Sequence, residues 1–362
     1  MKITLSSAKL LKAITPLMKI VPDKPVVPIL ENLCFTASND LIAVSSSDME
    51  VIMETTLDAQ TSESGAFVVP AKLLFSALKS LPEQPLVMTV TDKGVSVKTT
   101  NGKFNLPVED HKDWPGEPNQ PNMQLVDVDP AELSGAFRSN MFALGTDHVV
   151  RPVVTGMLME SKVDILNVTA LNGFIIAQKT FQVAMPEFRI VVPAKAARVI
   201  ADNKGDLFHN GKHLRYECAN FTMISRLIEE EYPNYDRIIE NEGWIVRVNR
   251  ESFVGLIHRA RPFASGAGNI VQLDISEDSI KAMTSAIDQS SSFEEEIPCV
   301  SSIIINIAFD ASYLEEVLTH APGDTVYMKI EDPTKSAIIT TDTAGALSTV
   351  APFKIFKEAA HA

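Results

Sequence analysis

Val68-Val69-Pro70-Ala71-Lys72 recurs as Val191-Val192-Pro193-Ala194-Lys195, 123 residues further along the chain. A five-residue identity can arise by chance, so the spacing needs a second feature. The helix-like opening Leu5-Ser6-Ser7-Ala8-Lys9-Leu10 is echoed at the same 123-residue separation by Val128-Asp129-Pro130-Ala131-Glu132-Leu133. A third copy, Val248-Asn249-Arg250-Glu251-Ser252-Phe253, follows 120 residues later, and Ala308-Phe309-Asp310-Ala311-Ser312-Tyr313-Leu314 is the third partner of the Val-Pro-Ala-Lys segment. Two independent features at one period argue for three copies of a single domain. The period is far longer than that of solenoid repeats, so each copy can bury its own core.

Working outward from the repeats, seams fall where composition turns to Pro, Asn and Gly. Trp114-Pro115-Gly116-Glu117-Pro118-Asn119-Gln120-Pro121-Asn122 is one connection and Glu240-Asn241-Glu242-Gly243 the other. The expected domains are residues 1–120, 121–244 and 245–362. Each reads as helix, strands, second helix, strands. Candidate strands rich in β-branched residues include Leu41–Val44, Leu86–Val90, Ile165–Val168, Ile303–Ile305 and Ala337–Thr341. Thr91-Asp92-Lys93-Gly94-Val95 reads as a hairpin turn. The fold class is α+β, with two helices per domain packed on mostly antiparallel sheets.

Formal net charge is −14, from 32 Lys and Arg against 46 Asp and Glu. An acidic surface repels duplex DNA, so a DNA-binding reading requires cationic side chains segregated from the bulk. The helices are where that segregation shows. At 100° per residue, Leu10, Leu11, Ile14, Leu17 and Met18 share an arc of about 120°, with Lys9, Lys12 and Lys19 in a separate arc of roughly 80°. Pro16 is expected to end or kink this helix. Over the six predicted helices (6–19, 72–80, 129–139, 195–204, 249–261 and 310–320) there are twelve Lys and Arg against seven Asp and Glu, leaving −19 on the rest of the chain. The last helix, with Asp310, Glu315 and Glu316, is an exception. Lysines on exposed helix faces are also common without meaning. Domain repetition together with basic helices and an acidic remainder suits a protein that surrounds DNA through weak phosphate contacts without reading bases.

A catalytic reading finds little. Phe263-Ala264-Ser265-Gly266-Ala267-Gly268-Asn269 is Gly-rich, but no Gly-Lys-Ser/Thr follows, and a turn is the better expectation. His209 and His213 are the one histidine pair near metal spacing, and their Asn-Gly-Lys turn suggests solvent exposure. The runs Glu229–Glu231 and Glu294–Glu296 read as solvated or partner-facing surface. Neither a metal, a cofactor nor a reaction is called for. Cys34, Cys218 and Cys299 are isolated, which fits a reducing cytoplasm and buried apolar roles. No stretch is long and apolar enough for a membrane span, and Lys2, Lys9, Lys12 and Lys19 interrupt the first residues.

Lys24-Pro25-Val26-Val27-Pro28-Ile29-Leu30-Glu31-Asn32-Leu33, Val69-Pro70-Ala71-Lys72, Ile190–Lys195, Tyr232-Pro233-Asn234-Tyr235 and Asp310–Leu314 together resemble the landmarks of the bacterial sliding clamp family, the beta subunits of DNA polymerase III. They occur in order and span nearly the whole chain. The resemblance implies a non-catalytic processivity factor: a head-to-tail homodimer closed into a ring of six domains, threaded by duplex DNA and tethering the replicative polymerase, the clamp loader and other motif-bearing proteins. A triplicated scaffold that binds only proteins is the alternative.

The same resemblance implies site residues. Lys24, Lys72, His148, Arg151 and Lys195 stand where the family contacts DNA, His148 where an amide is usual. The partner-peptide pocket would comprise Val154, Leu171, Gly173, Ile176, Pro233, Arg237, Ile238, Val350, Pro352 and Phe353, and would accept a motif with a glutamine and two or three large apolar residues. Without the resemblance these positions read as ordinary core. Phe174 and Ile175 replace the family's usual His-Arg pair, and the tail continues past the usual end through Glu358–Ala362. At the ring seam, Leu81, Phe104 and Leu106 would meet Pro262 and Phe263, with Lys72 and Lys79 facing Glu294–Glu296.

Overall fold

The computed structural model describes residues 1–38, 40–146, 152–240, 242–264, 268–285 and 291–353. Among them the helices are α1 (Ser7–Leu17), α2 (Ala71–Lys79), α3 (Pro130–Asn140), α4 (Ala194–Asp202), the single turn α5 (Asp236–Ile239), α6 (Arg250–Ala264) and α7 (Ala311–His320). The backbone gathers into two compact units, residues 1–134 with 198–227 and residues 135–197 with 228–362.

In the first unit, a five-stranded antiparallel sheet runs in the order Gln60–Thr61, Lys2–Ser6, Pro85–Thr91, Gly94–Lys98, Lys103–Leu106. Its strands alternate, burying Ile3, Leu5, Leu86, Met88, Val95 and Val97 while polar residues face out. Helix α1 starts where the Ser6 hydroxyl accepts the Lys9 N–H, and it buries Leu10, Ile14 and Leu17 with Lys9 and Lys12 exposed. Pro16 lies in its last turn, where its missing N–H costs one main-chain bond, and the helix stops one residue later. An eight-stranded sheet completes the unit. In it Val51–Asp58 of the first repeat pairs with Phe221–Arg226 of the second, Met53 opposite Met223.

The second unit carries one thirteen-stranded antiparallel system. Here Ile175–Gln182 of the second repeat pairs with Ala346–Val350 of the third, setting Ile175 opposite Val350. Neighbouring repeats therefore join edge to edge through main-chain hydrogen bonds, which satisfies strands that would otherwise be left open. The three Val-Pro-Ala-Lys-type segments behave alike. Strands Gly65–Pro70, Phe188–Val192 and Ile305–Asp310 each run straight into a helix, namely α2, α4 and α7.

Three sequence expectations need correction. Phe263 and Ala264 are not in a turn, because α6 continues through Pro262 to Ala264; residues 265–267 lie outside the described set. A proline in the last turn costs one main-chain bond and leaves the preceding turns intact. The strand expected at Ile303–Ile305 begins only at Ile305, with Ile304 exposed. His209 is buried, at 4% exposure, because it ends strand Gly205–His209 opposite Leu214, and burial pushes its pKa down. Cys34 and Cys299 are buried and Cys218 half-buried, and burial lifts the Cys34 and Cys218 thiols to about 11, so they behave as small apolar groups.

Candidate functional site

The expected pocket residues lie in the second unit, and the structure groups most of them. Strand Ile165–Leu171 turns back into Ile175–Gln182 with Leu171 opposite Ile176. The turn is made by Asn172, whose side-chain oxygen accepts the N–H groups of Phe174 and Ile175 at 3.0 and 2.9 Å. Gly173 takes φ +94°, a conformation that a side chain would strain, and a Cβ placed there would meet no atom within 4 Å. Space is thus left open at the hairpin tip. Val154, from the 3-10 turn Pro152–Thr155, packs with Leu171, Ile176, Tyr232 and Tyr235 in one apolar cluster. All of these side chains are under a tenth exposed, so they are core first, and any pocket they line is shallow.

Several of the other expected residues are exposed. Ile238 of α5 is 41% exposed, Phe353 is 47% exposed, and Pro233 and Arg237 lie at or near the surface. Val350 is buried beside Ile175, and the strand end Pro352–Phe353 pairs with Phe309 and Ala308. The Ala351 N–H donates to the Phe174 carbonyl at 2.8 Å, tying this strand end to the hairpin tip. Phe174 itself, half exposed, stacks on Tyr313 of α7 with ring centroids 4.9 Å apart and planes 16° apart. That stack was missed in the sequence, although both partners lie in runs singled out there; a ring contact between distant segments leaves no local signature. Buried apolar side chains, exposed aromatic rings and one arginine are the chemistry that a short apolar peptide would need to meet.

The cations divide between the units. Lys72, second residue of α2, reaches Asp23 at 2.6 Å, and this contact holds the Asp23 carboxyl below its ordinary range, with Lys24 adding to the effect. Lys24 and Lys72 are exposed; Lys195, half-buried, holds the equivalent second position of α4. His148 and Arg151 lie outside the described residues.

Phe104 and Leu106 are on Lys103–Leu106, the last strand of the five-stranded sheet, but Leu106 is only 2% exposed and belongs to the core of its own unit. Leu81 is half-buried just beyond α2. In the second unit, Ser292–Pro298 pairs on one side with Ser279–Ser285, and its other side has no strand partner among the described residues. Pro262 and Phe263 are exposed, and the Phe263 ring lies 5.6 Å from Phe293 on that edge strand, a neighbour the sequence reading did not name. Lys79 lies over the Phe75 ring at 4.9 Å. Glu294 pairs with Lys281 at 2.6 Å and Glu295 with both nitrogens of the Arg259 fork, so two acids of the run already have partners within the chain. Among the described residues no group of three or more His, Cys, Asp or Glu could hold a metal, and no helix is long and apolar enough to cross a membrane.

Three family models match in succession: the DNA polymerase III beta subunit N-terminal domain over residues 1–118, its central domain over 127–234 and its C-terminal domain over 238–353. Among curated relatives, the beta sliding clamp of Chlamydia muridarum is 21% identical over 365 residues, covering 98% of this chain and 99% of the relative. That of Synechococcus elongatus is 24% identical over 357 residues, covering 94% and 95%. The crystal structures of the DNA polymerase III beta subunit from Pseudomonas aeruginosa and of the sliding clamp from Bacillus subtilis superpose with TM-scores of 0.92 and 0.91. At 22% and 21% identity, each covers 98% of this chain and all of the other, which establishes the fold. With all three domain models matched in order across a threefold repeat, the chain belongs to the DNA polymerase III beta subunit family, the beta sliding clamps.

Proposed function

We propose that two copies of this chain close head to tail into a ring that encircles duplex DNA without reading its sequence. Through the pocket of the second unit the ring holds the replicative polymerase, the clamp loader and other motif-bearing proteins. It catalyses nothing; its contribution is to turn repeated encounters into continuous tethering. The observation that carries this reading is the family match across all three repeats. Charge supports it: in the six long helices, Lys and Arg outnumber Asp and Glu by ten to five, against a chain total of −14. Such helices attract phosphate weakly and exchange it freely, which favours sliding over gripping.

Ring closure draws on the two open edges. Lys103–Leu106 of one copy offers unpaired main-chain groups and a lysine, and Ser292–Pro298 of the other offers an edge bearing Glu294, Glu295 and Glu296. Strand addition of this kind, repeated twice, gives a closed heterologous dimer. The domain limits 1–120, 121–244 and 245–362 and a cytoplasmic location belong to the same proposal. Native mass measurement tests it: a species of twice the 39.6 kDa chain mass supports ring closure, and a monomer at micromolar concentration contradicts it. Charge reversal of Lys24 and Lys195 together should slow loading onto circular DNA and leave the dimer intact. If the dimer falls apart, those residues are misplaced.

A further inference from the structure

The segment that carries Pro233, Arg237 and Ile238 has little regular structure, only the single turn α5. Two buried tyrosines set its place. Tyr235 OH lies 3.1 Å from the Thr169 hydroxyl and accepts from Gln178 Nε2 at 3.2 Å, while Gln178 also donates to Thr169 at 3.0 Å. All three residues are under a tenth exposed, so this closed triangle is shielded from competing water. Tyr232 packs edge-on against Tyr235 at 6.5 Å and sends its hydroxyl to the carbonyls of Gly156 and Thr169. Its own carbonyl accepts from Arg189 at 3.3 Å. Arg189 is held in turn by Glu160, which sits opposite it on the neighbouring strand, is 5% exposed, and also takes Lys162 at 3.0 Å. Contacts of this kind offset the cost of burying a carboxylate.

We propose that Tyr235, Gln178 and Thr169, with the Glu160–Arg189 pair, form a positioning brace for the peptide pocket, presenting Ile238 and Arg237 in place before a partner arrives. This rests on the pocket reading given above. A preordered rim spares the peptide the cost of ordering the segment on binding, so the brace adds affinity without touching the ligand. Its shortest route to the pocket is α5, which follows Tyr235 directly. Phe353, whose strand end pairs with Ala308 and Phe309, is reached only through the neighbouring strand and should sense it less.

A double-mutant cycle separates this role from a merely structural one. The probe is a synthetic peptide with one glutamine and two large apolar residues, titrated calorimetrically into the full-length protein. Tyr235→Phe removes the hydroxyl with both of its contacts and keeps the ring, so peptide binding should weaken about five-fold. The same change should cost about five-fold in a Phe353→Ala background and less than two-fold in an Arg237→Ala, Ile238→Ala background, where both presented side chains are already gone. Arg189→Met serves as a second, independent variant with the same expected pattern. Equal losses in both backgrounds, or no loss at all, overturn the brace. If Ile238→Ala and Phe353→Ala themselves leave the peptide affinity unchanged, the pocket reading falls and the brace falls with it.

Discussion

Gly205 shows how tightly single residues are specified. A Cβ there would stand 2.4 Å from the Glu217 carbonyl oxygen and 2.8 Å from the Cys218 sulfur. Because the close neighbour is main chain in a paired strand, it cannot move aside cheaply. Gly205→Ala should therefore cost about 1–3 kcal/mol, read as a lower melting temperature; an unchanged melt would mean the strand pair relaxes freely. At the pocket, Ile238→Ala and Phe353→Ala each remove an exposed side chain and should weaken peptide binding several-fold without lowering stability. Equal affinity would show that the peptide goes elsewhere. At this scale the sequence carried the pocket positions only through family resemblance. Val154, Leu171, Ile176 and Val350 are apolar residues on strands or turns, and nothing local separates a pocket wall from core. The turn at Asn172 and Gly173 was not read either, although each has a backbone task that few other residues perform.

Helix α6 and helix α7 are joined by one carboxylate. Glu315 accepts from His258 Nδ1 at 2.6 Å and from Arg261 at 2.8 Å. Burial pushes its carboxyl up, the two donors pull it down, and the donors prevail, leaving it below the ordinary glutamate range. A carboxylate whose folded pKa is lowered contributes stability above its unfolded value and loses it as pH falls through the folded one. Glu315→Gln should thus melt about 2–4 °C lower than the parent at neutral pH. The gap should close as pH drops below 4.5. A gap constant down to pH 3 would assign the loss to shape rather than charge. The six long helices were legible to within three residues because apolar spacing, caps and Pro16 all act locally. The single turn α5 was not, since four residues carry no periodicity. The pairing of Val51–Asp58 with Phe221–Arg226 was not either, since partners so far apart in sequence share no local signal.

For the molecule as a whole, the repeat and the charge partition were both visible before any coordinates, because repetition and composition survive without knowing which strands meet. The seam was less so: Leu106 proved to be core, and Phe293 joined Phe263 at the edge. Changing Glu294, Glu295 and Glu296 to lysine together should remove the acidic edge and shift the dimer toward monomer in sedimentation, while an unaffected dimer would place the seam elsewhere. The central claim is that linkage, not grip, holds the duplex. Its most direct measurement is retention on nicked circular DNA against the same DNA cut once, after loading and a salt wash. Long retention on the circle and rapid loss from the linear form are expected, and equal retention on both would rule out linkage.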